Sequence, residues 1–133
     1  MVLRGASGGV GGFAVQLAKD AGMMAVASEK NFAYAKELRA AFTVDYYSNG
    51  SMGQAVKAAA PVGVGLVFDR VSSGETPTHS LSVLKPGGAM VSTLNNGQHL
   101  GFAGINPQYV LVEPNALRQN ELRRLADAGK PQA

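Results

Sequence analysis

Close to the start of this 133-residue chain stands Ala6-Ser7-Gly8-Gly9-Val10-Gly11. It follows the nucleotide-binding frame G-x-G-x-x-G, with alanine in the first place. Glycine costs backbone entropy, so Gly5, Gly8, Gly9, Gly11 and Gly12 in one turn need a physical reason. The first turn of a helix offers free N–H groups and the positive end of its dipole. A diphosphate can rest there if no side chain stands in the way. The frame alone is also satisfied by a tight strand-to-helix turn that binds nothing, so its context has to decide.

A second group of residues bears on which dinucleotide would fit. Domains that prefer NAD place an acid at the end of the second strand, about twenty residues on, to hold the adenosine ribose hydroxyls. Here that run ends Val26-Ala27-Ser28; Glu29 comes only past the tip, and Lys30 and Asn31 follow. A small hydroxyl and a cation suit a 2′-phosphate, which favours NADPH. The plain alternative is an ordinary polar loop, where Ser and Lys are common.

Other chemistries find little support. There is no cysteine, hence no disulfide and no thiolate. Zinc would rest on His79, His99 and scattered acids, whereas structural zinc wants four clustered ligands, so no metal site is expected. The formal charge of +3 is mild: it helps attract a phosphorylated ligand, and no Lys/Arg stripe marks a nucleic-acid partner. No apolar run nears the ~20 residues of a membrane span. Arg4 and the glycines interrupt any apolar leader. The expectation is a soluble, cytoplasmic protein.

The elements that must position these residues alternate. Short apolar strands are expected at 1–4, 23–28, 42–46, 65–69, 89–93 and 108–114. Helical spacing runs from Val10 through Phe13, Ala14, Leu17, Ala18 and Ala21 to a stop at Gly22. Further helices are expected at 31–41 (Phe32, Tyr34, Ala35 and Leu38 inward), 51–60, 75–84 and 115–129, the last capped by Asn115. The Lys85-Pro86-Gly87-Gly88 stretch reads as a helix breaker, and 94–107 has no clear element. Strands that are continuous apolar runs belong to a parallel sheet covered on both faces. The fold class is therefore α/β: a doubly wound, parallel, six-stranded Rossmann sheet with helices on both faces.

The stretches GASGGVGGFAVQLAK (5–19), ELRAAFTVDY (37–46), GLVFDRV (65–71), SLSVLKPGGAMVS (80–92) and YVLVEP (109–114) carry a resemblance. Together they resemble the cofactor domain of the medium-chain dehydrogenase/reductase superfamily, and within it the zinc-independent, NADPH-dependent quinone oxidoreductases. The resemblance covers nearly the whole chain, so 1–133 is expected to be one dinucleotide-binding domain. It implies that Ser7, Gly8, Gly9, Val10 and Gly11 line the diphosphate turn. It implies that Ser28 and Tyr46 reach the 2′-phosphate, with Lys30 or Asn31 at the position of the family's lysine. It places Val71 and Ser72 along the adenine and ribose, and Ser92 and Thr93 toward the nicotinamide. It also implies a small quinone or enone substrate, and a homodimer through the edge strand at 108–113.

The chain departs from the family's pattern in places. Arg4 stands where Thr or His is usual, the turn from Gly22 into the second strand is about two residues short, and DRVSSGE replaces DTVGGE. The family's N-terminal catalytic domain and C-terminal return segment are expected to be absent, so the chain would bind cofactor and turn over little. No catalytic acid or base stands out. Three other readings weigh against this one. A Rossmann domain can serve as a non-catalytic nucleotide-binding or assembly module. LKPGGAMVS also resembles methyltransferases, but the acid for an adenosyl ribose is missing. A short-chain dehydrogenase would need Tyr-x-x-x-Lys, which the chain lacks.

Overall fold

Val2–Arg4 forms β1, and the chain's most apolar runs pair on either side of it. The computed structural model describes residues 1–18, 22–45, 52–71, 77–94 and 106–129. Within these, β1 is followed by α1 (Gly9–Leu17), β2 (Met24–Ala27), α2 (Phe32–Glu37), β3 (Phe42–Asp45) and α3 (Met52–Ala59). Then come β4 (Val64–Asp69), α4 (Pro77–Leu81), β5 (Leu84–Ser92), β6 (Asn106–Tyr109) and α5 (Ala116–Asp127). The six strands form one parallel sheet in the order β3-β2-β1-β4-β5-β6. This is the doubly wound arrangement, with the order reversing between β1 and β4.

Alternation along the strands feeds two cores. Val2, Met24, Val26, Val44 and Val67 point to one face, where Met52 and Val56 of α3 cover them. Leu3, Ala25 and Ala27 point to the other, against Val15 of α1 and Ala35 of α2. Each fully buried Val or Leu contributes about 1.5–3 kcal/mol through lost apolar exposure. The central strands are thus fixed from both sides, and their C-terminal ends are held level.

Four expectations change. Helix 31–41 is shorter: a 3₁₀ turn at Glu29–Asn31 leads into α2, which stops at Glu37 because Arg39 turns left-handed, at φ 72°. Tyr34, expected inward, is 41% exposed. It lies over α1 instead, where a Cβ at Gly12 would come within 2.8 Å of its hydroxyl.

The Lys85–Gly88 stretch does not break the chain between elements. It lies inside β5, as a bulge where the pairing jumps from Val64↔Leu84 to Leu66↔Ala89. Gly88 has no room for a side chain: a Cβ there would meet Lys85 O at 2.9 Å and Val64 O at 3.2 Å.

The sixth strand, expected at 108–114, is Asn106–Tyr109. The last residue of β5, Ser92, pairs with Tyr109, and the last ladder bond is Val110 N–H to Ser92 O at 2.9 Å. Beyond it no partner strand remains among the described residues. Leu111 and Val112, apolar as they are, stand exposed. The proposed pairing segment 108–113 is therefore a strand only over its first two residues. Asn115 caps α5 as expected, accepting from the Arg118 N–H at 3.0 Å.

Candidate functional site

The glycine turn sits where the strand order reverses. Gly5 takes φ +77°, a left-handed conformation, and a Cβ on it would meet Val71 Cγ2 at 2.8 Å. The Gly8 N–H returns to Gly5 O at 3.2 Å, and the Ala6 N–H reaches Val26 O at 3.4 Å. The turn is thereby tied to β2 and folded back on itself. The first helical bond runs from Gly12 N–H to Gly8 O at 2.8 Å. The N–H groups of Gly9, Val10 and Gly11 precede that ladder. Gly8, the N-cap, supplies no capping side chain, and the first turn of α1 holds no acid. Within α1 itself no side chain neutralises this positive end.

The glycines do different jobs. A Cβ at Gly11 would overlap the Gly5 carbonyl oxygen and stand 2.9 Å from both C and Cα of Ala6. Gly11 lets α1 close on β1. Gly9 is exposed, and a Cβ there would have no described atom within 4 Å. Its openness faces outward, beside an exposed Val10. One glycine is required by packing, and the other leaves a free approach to the helix start.

The other expected residues follow strand ends on the same edge of the sheet. Ser28 follows β2, Val71 lies just past β4, Ser92 ends β5 and Thr93 follows it. Ser28 Oγ accepts from Asn31 Nδ2 at 2.9 Å, so its own hydrogen is available to another acceptor. Lys30 is exposed between them. Val71 is 53% exposed beside Gly5. Ser92 is buried and its hydroxyl accepts from the Leu94 N–H at 3.1 Å, so it braces the strand end. The Thr93 N–H donates to Asp69 O at 3.4 Å. Tyr46 and Ser72 lie outside the described residues.

Sequence reasoning noted Arg4 only as a departure. Its guanidinium pairs with Asp69 at 2.9 Å, and the carboxylate is fully buried. Ser80 Oγ donates to the same Asp69 oxygen at 2.6 Å and accepts from Arg4 Nη1 at 3.1 Å. Asp69 Oδ1 accepts from the Val71 N–H at 3.0 Å. Arg4 and Asp69 are register partners across β1 and β4. A charged residue ending each of two neighbouring central strands was the available signal. The network binds together the strand ends that flank the switch point.

Among the described residues, no three His, Cys, Asp or Glu side chains come together as a metal site. His79 is exposed on α4, and Asp69 is engaged by Arg4 and Ser80. Among the described residues no helix is long and apolar enough to cross a membrane.

A parallel sheet in this order, with a glycine turn at its switch point, defines the class of dinucleotide-binding α/β domains. Residues 9–113 match the model of the zinc-binding dehydrogenases, and the chain belongs to that family within the medium-chain dehydrogenase/reductase superfamily. The fold is similar to that of the quinone oxidoreductase from Coxiella burnetii, at 28% identity and a TM-score of 0.80 over 97% of this chain. The chain spans 41% of that protein's length. Two more distant likenesses bear on the fold alone. The Pseudomonas syringae quinone oxidoreductase is 23% identical, with a TM-score of 0.75 over 99% of this chain and 46% of its own. A putative NADPH:quinone reductase from Bacillus thuringiensis is 16% identical, with a TM-score of 0.80 over 98% and 45%. No curated protein matches the chain in sequence.

Proposed function

We propose that this chain is the NADPH-binding domain of a quinone or enone oxidoreductase. The observation that carries the reading is the contrast between Gly11, closed by packing, and Gly9, open beside the uncapped start of α1. Such a cradle fits a diphosphate, which the free N–H groups of Gly9 and Val10 would hold. Ser7, Gly8 and Gly11 shape the turn around it. Ser28, its hydroxyl hydrogen available, would donate to the 2′-phosphate, with Lys30 and Asn31 beside it; the family resemblance adds Tyr46 to that phosphate. Val71 and Ser72 would border the adenine and ribose. Ser92 braces the strand end from which Thr93 borders the nicotinamide.

Bound NADPH would supply the hydride, and the protein's part is to orient the ring and exclude water. The substrate cleft would be completed by chain beyond this domain, as the relative's greater length supports. The reading extends to a cytoplasmic enzyme that forms a homodimer through the β6 edge. Calorimetric titration with NADPH and NADH tests the cofactor. Tighter binding of NADPH is expected, and Lys30→Glu should narrow the preference. Equal affinities, or a preference for NADH, would overturn the assignment.

A further inference from the structure

Arg70 is the first residue after β4, and its side chain runs along the glycine turn. Its Cβ lies 3.9 Å from where a Cβ on Gly5 would be, and its Nη1 lies 3.6 Å from where one on Gly8 would be. The two missing side chains leave the space in which the arginine is laid across the turn. This brings a guanidinium to the N-cap of α1, the end that already carries about half a positive charge. Cation and helix end repel each other unless an anion lies between them.

The nearest buried carboxylate does not relieve this. Asp69 is held by Arg4 and Ser80. Among the described residues, no carboxylate forms an ion pair with Arg70. Arg70 is half-buried, so its stem is guided by the turn while its head remains in reach of a ligand. A planar guanidinium offers paired donors that match phosphate oxygens.

We propose that Arg70 is a diphosphate clamp, closing over the bridging phosphates of a dinucleotide from the β4 side while the N–H groups of α1 hold them from the other. The inference rests on the dinucleotide reading above and adds a cation to it. A diphosphate is common to NADPH and NADH, so the clamp strengthens both without choosing between them. Selection stays with the 2′-phosphate neighbourhood near Ser28, at the end of a different strand.

The test compares wild type, Arg70→Gln and Arg70→Lys by calorimetry with NADPH and NADH, and by thermal shift with inorganic pyrophosphate. Loss of one charge-assisted contact should weaken both dinucleotides by about tenfold or more and leave their affinity ratio unchanged. Arg70→Lys should recover part of the loss. Pyrophosphate should stabilise the wild type and not Arg70→Gln. Unchanged binding in Arg70→Gln, or a loss confined to NADPH, overturns the clamp. If the wild type binds neither dinucleotide, the dinucleotide reading fails. The pyrophosphate arm then decides the clamp separately: a shift lost in Arg70→Gln upholds it as an anion site, and no shift in wild type overturns it.

Discussion

Replacing Asp69 by leucine removes the acceptor that Arg4 meets at 2.9 Å, in a place where the carboxylate is fully buried and the arginine side chain 11% exposed. The guanidinium is left at the end of β1 with little water to solvate it. Breaking a buried pair from one side costs about 3–5 kcal/mol. Much of that is the stranded charge, and the buried Ser80 hydroxyl also loses its acceptor. Removing both charges, as in Arg4→Met with Asp69→Leu, should restore most of the loss. Adding Ser80→Ala should restore a further part, leaving the Val71 N–H as the donor that has lost its acceptor. Urea unfolding followed by circular dichroism measures this. With a slope of about 2 kcal/mol per molar, the single variant's midpoint should fall by about 2 M. The double variant's should fall by well under half of that. A cost below about 1 kcal/mol for Asp69→Leu would refute the reasoning, as would a double variant whose cost equals the sum of the two singles.

The glycine turn gives a second contrast. Gly11→Ala forces α1 off β1 and should cost about 1–3 kcal/mol in the same unfolding assay, whereas Gly9→Val, facing open space, should leave the midpoint nearly unchanged and weaken NADPH binding. Normal NADPH binding by Gly9→Val would make the turn purely structural. Arg39→Gly should raise stability by about 1 kcal/mol, because it relieves a left-handed arginine at the end of α2; a fall in the midpoint would count against that. Sedimentation at micromolar concentration should show a dimer that Val110→Lys dissolves, since the Val110 side chain is exposed at the end of the outermost strand. A monomeric wild type, or a dimer indifferent to the lysine, would reject the β6 interface.

The sequence made the central strands legible because their side chains are uniformly apolar, and the turn at 5–12 because only packing or ligand approach explains so many glycines. Gly9 and Gly11 are the same residue in one dimension, however, and only the neighbouring backbone tells the open one from the closed one. The sixth strand was misplaced because Val110, Leu111 and Val112 have the right composition, yet a strand also needs a neighbour, and β5 ends at Ser92. Gly87 and Gly88 read as a stop because local pattern does not distinguish a break from a bulge. Arg4, Asp69 and Ser80 were invisible as a group: no local spacing joins residues 65 and 76 positions apart. Their meeting follows only from the strand order that sets β1 beside β4. Arg70, inside GLVFDRV, was equally illegible, because it meets Gly8 only where the end of β4 lies beside the turn after β1.

The pairing of β1 with β4 has a kinetic consequence. Arg4 and Asp69 are 65 positions apart, and closing a loop of that length costs about 4 kcal/mol in the length-dependent term alone. β1 can find β2 sooner, across a short connection. During synthesis β1 is therefore an edge strand, with its row of N–H and C=O groups uncovered, until β4 emerges. Arg70 and Val71 arrive with β4, so the crevice at the turn is completed only when that late contact forms. A ligand seated there stabilises the finished state and not the barrier before it. It should slow unfolding and leave the folding rate as it was.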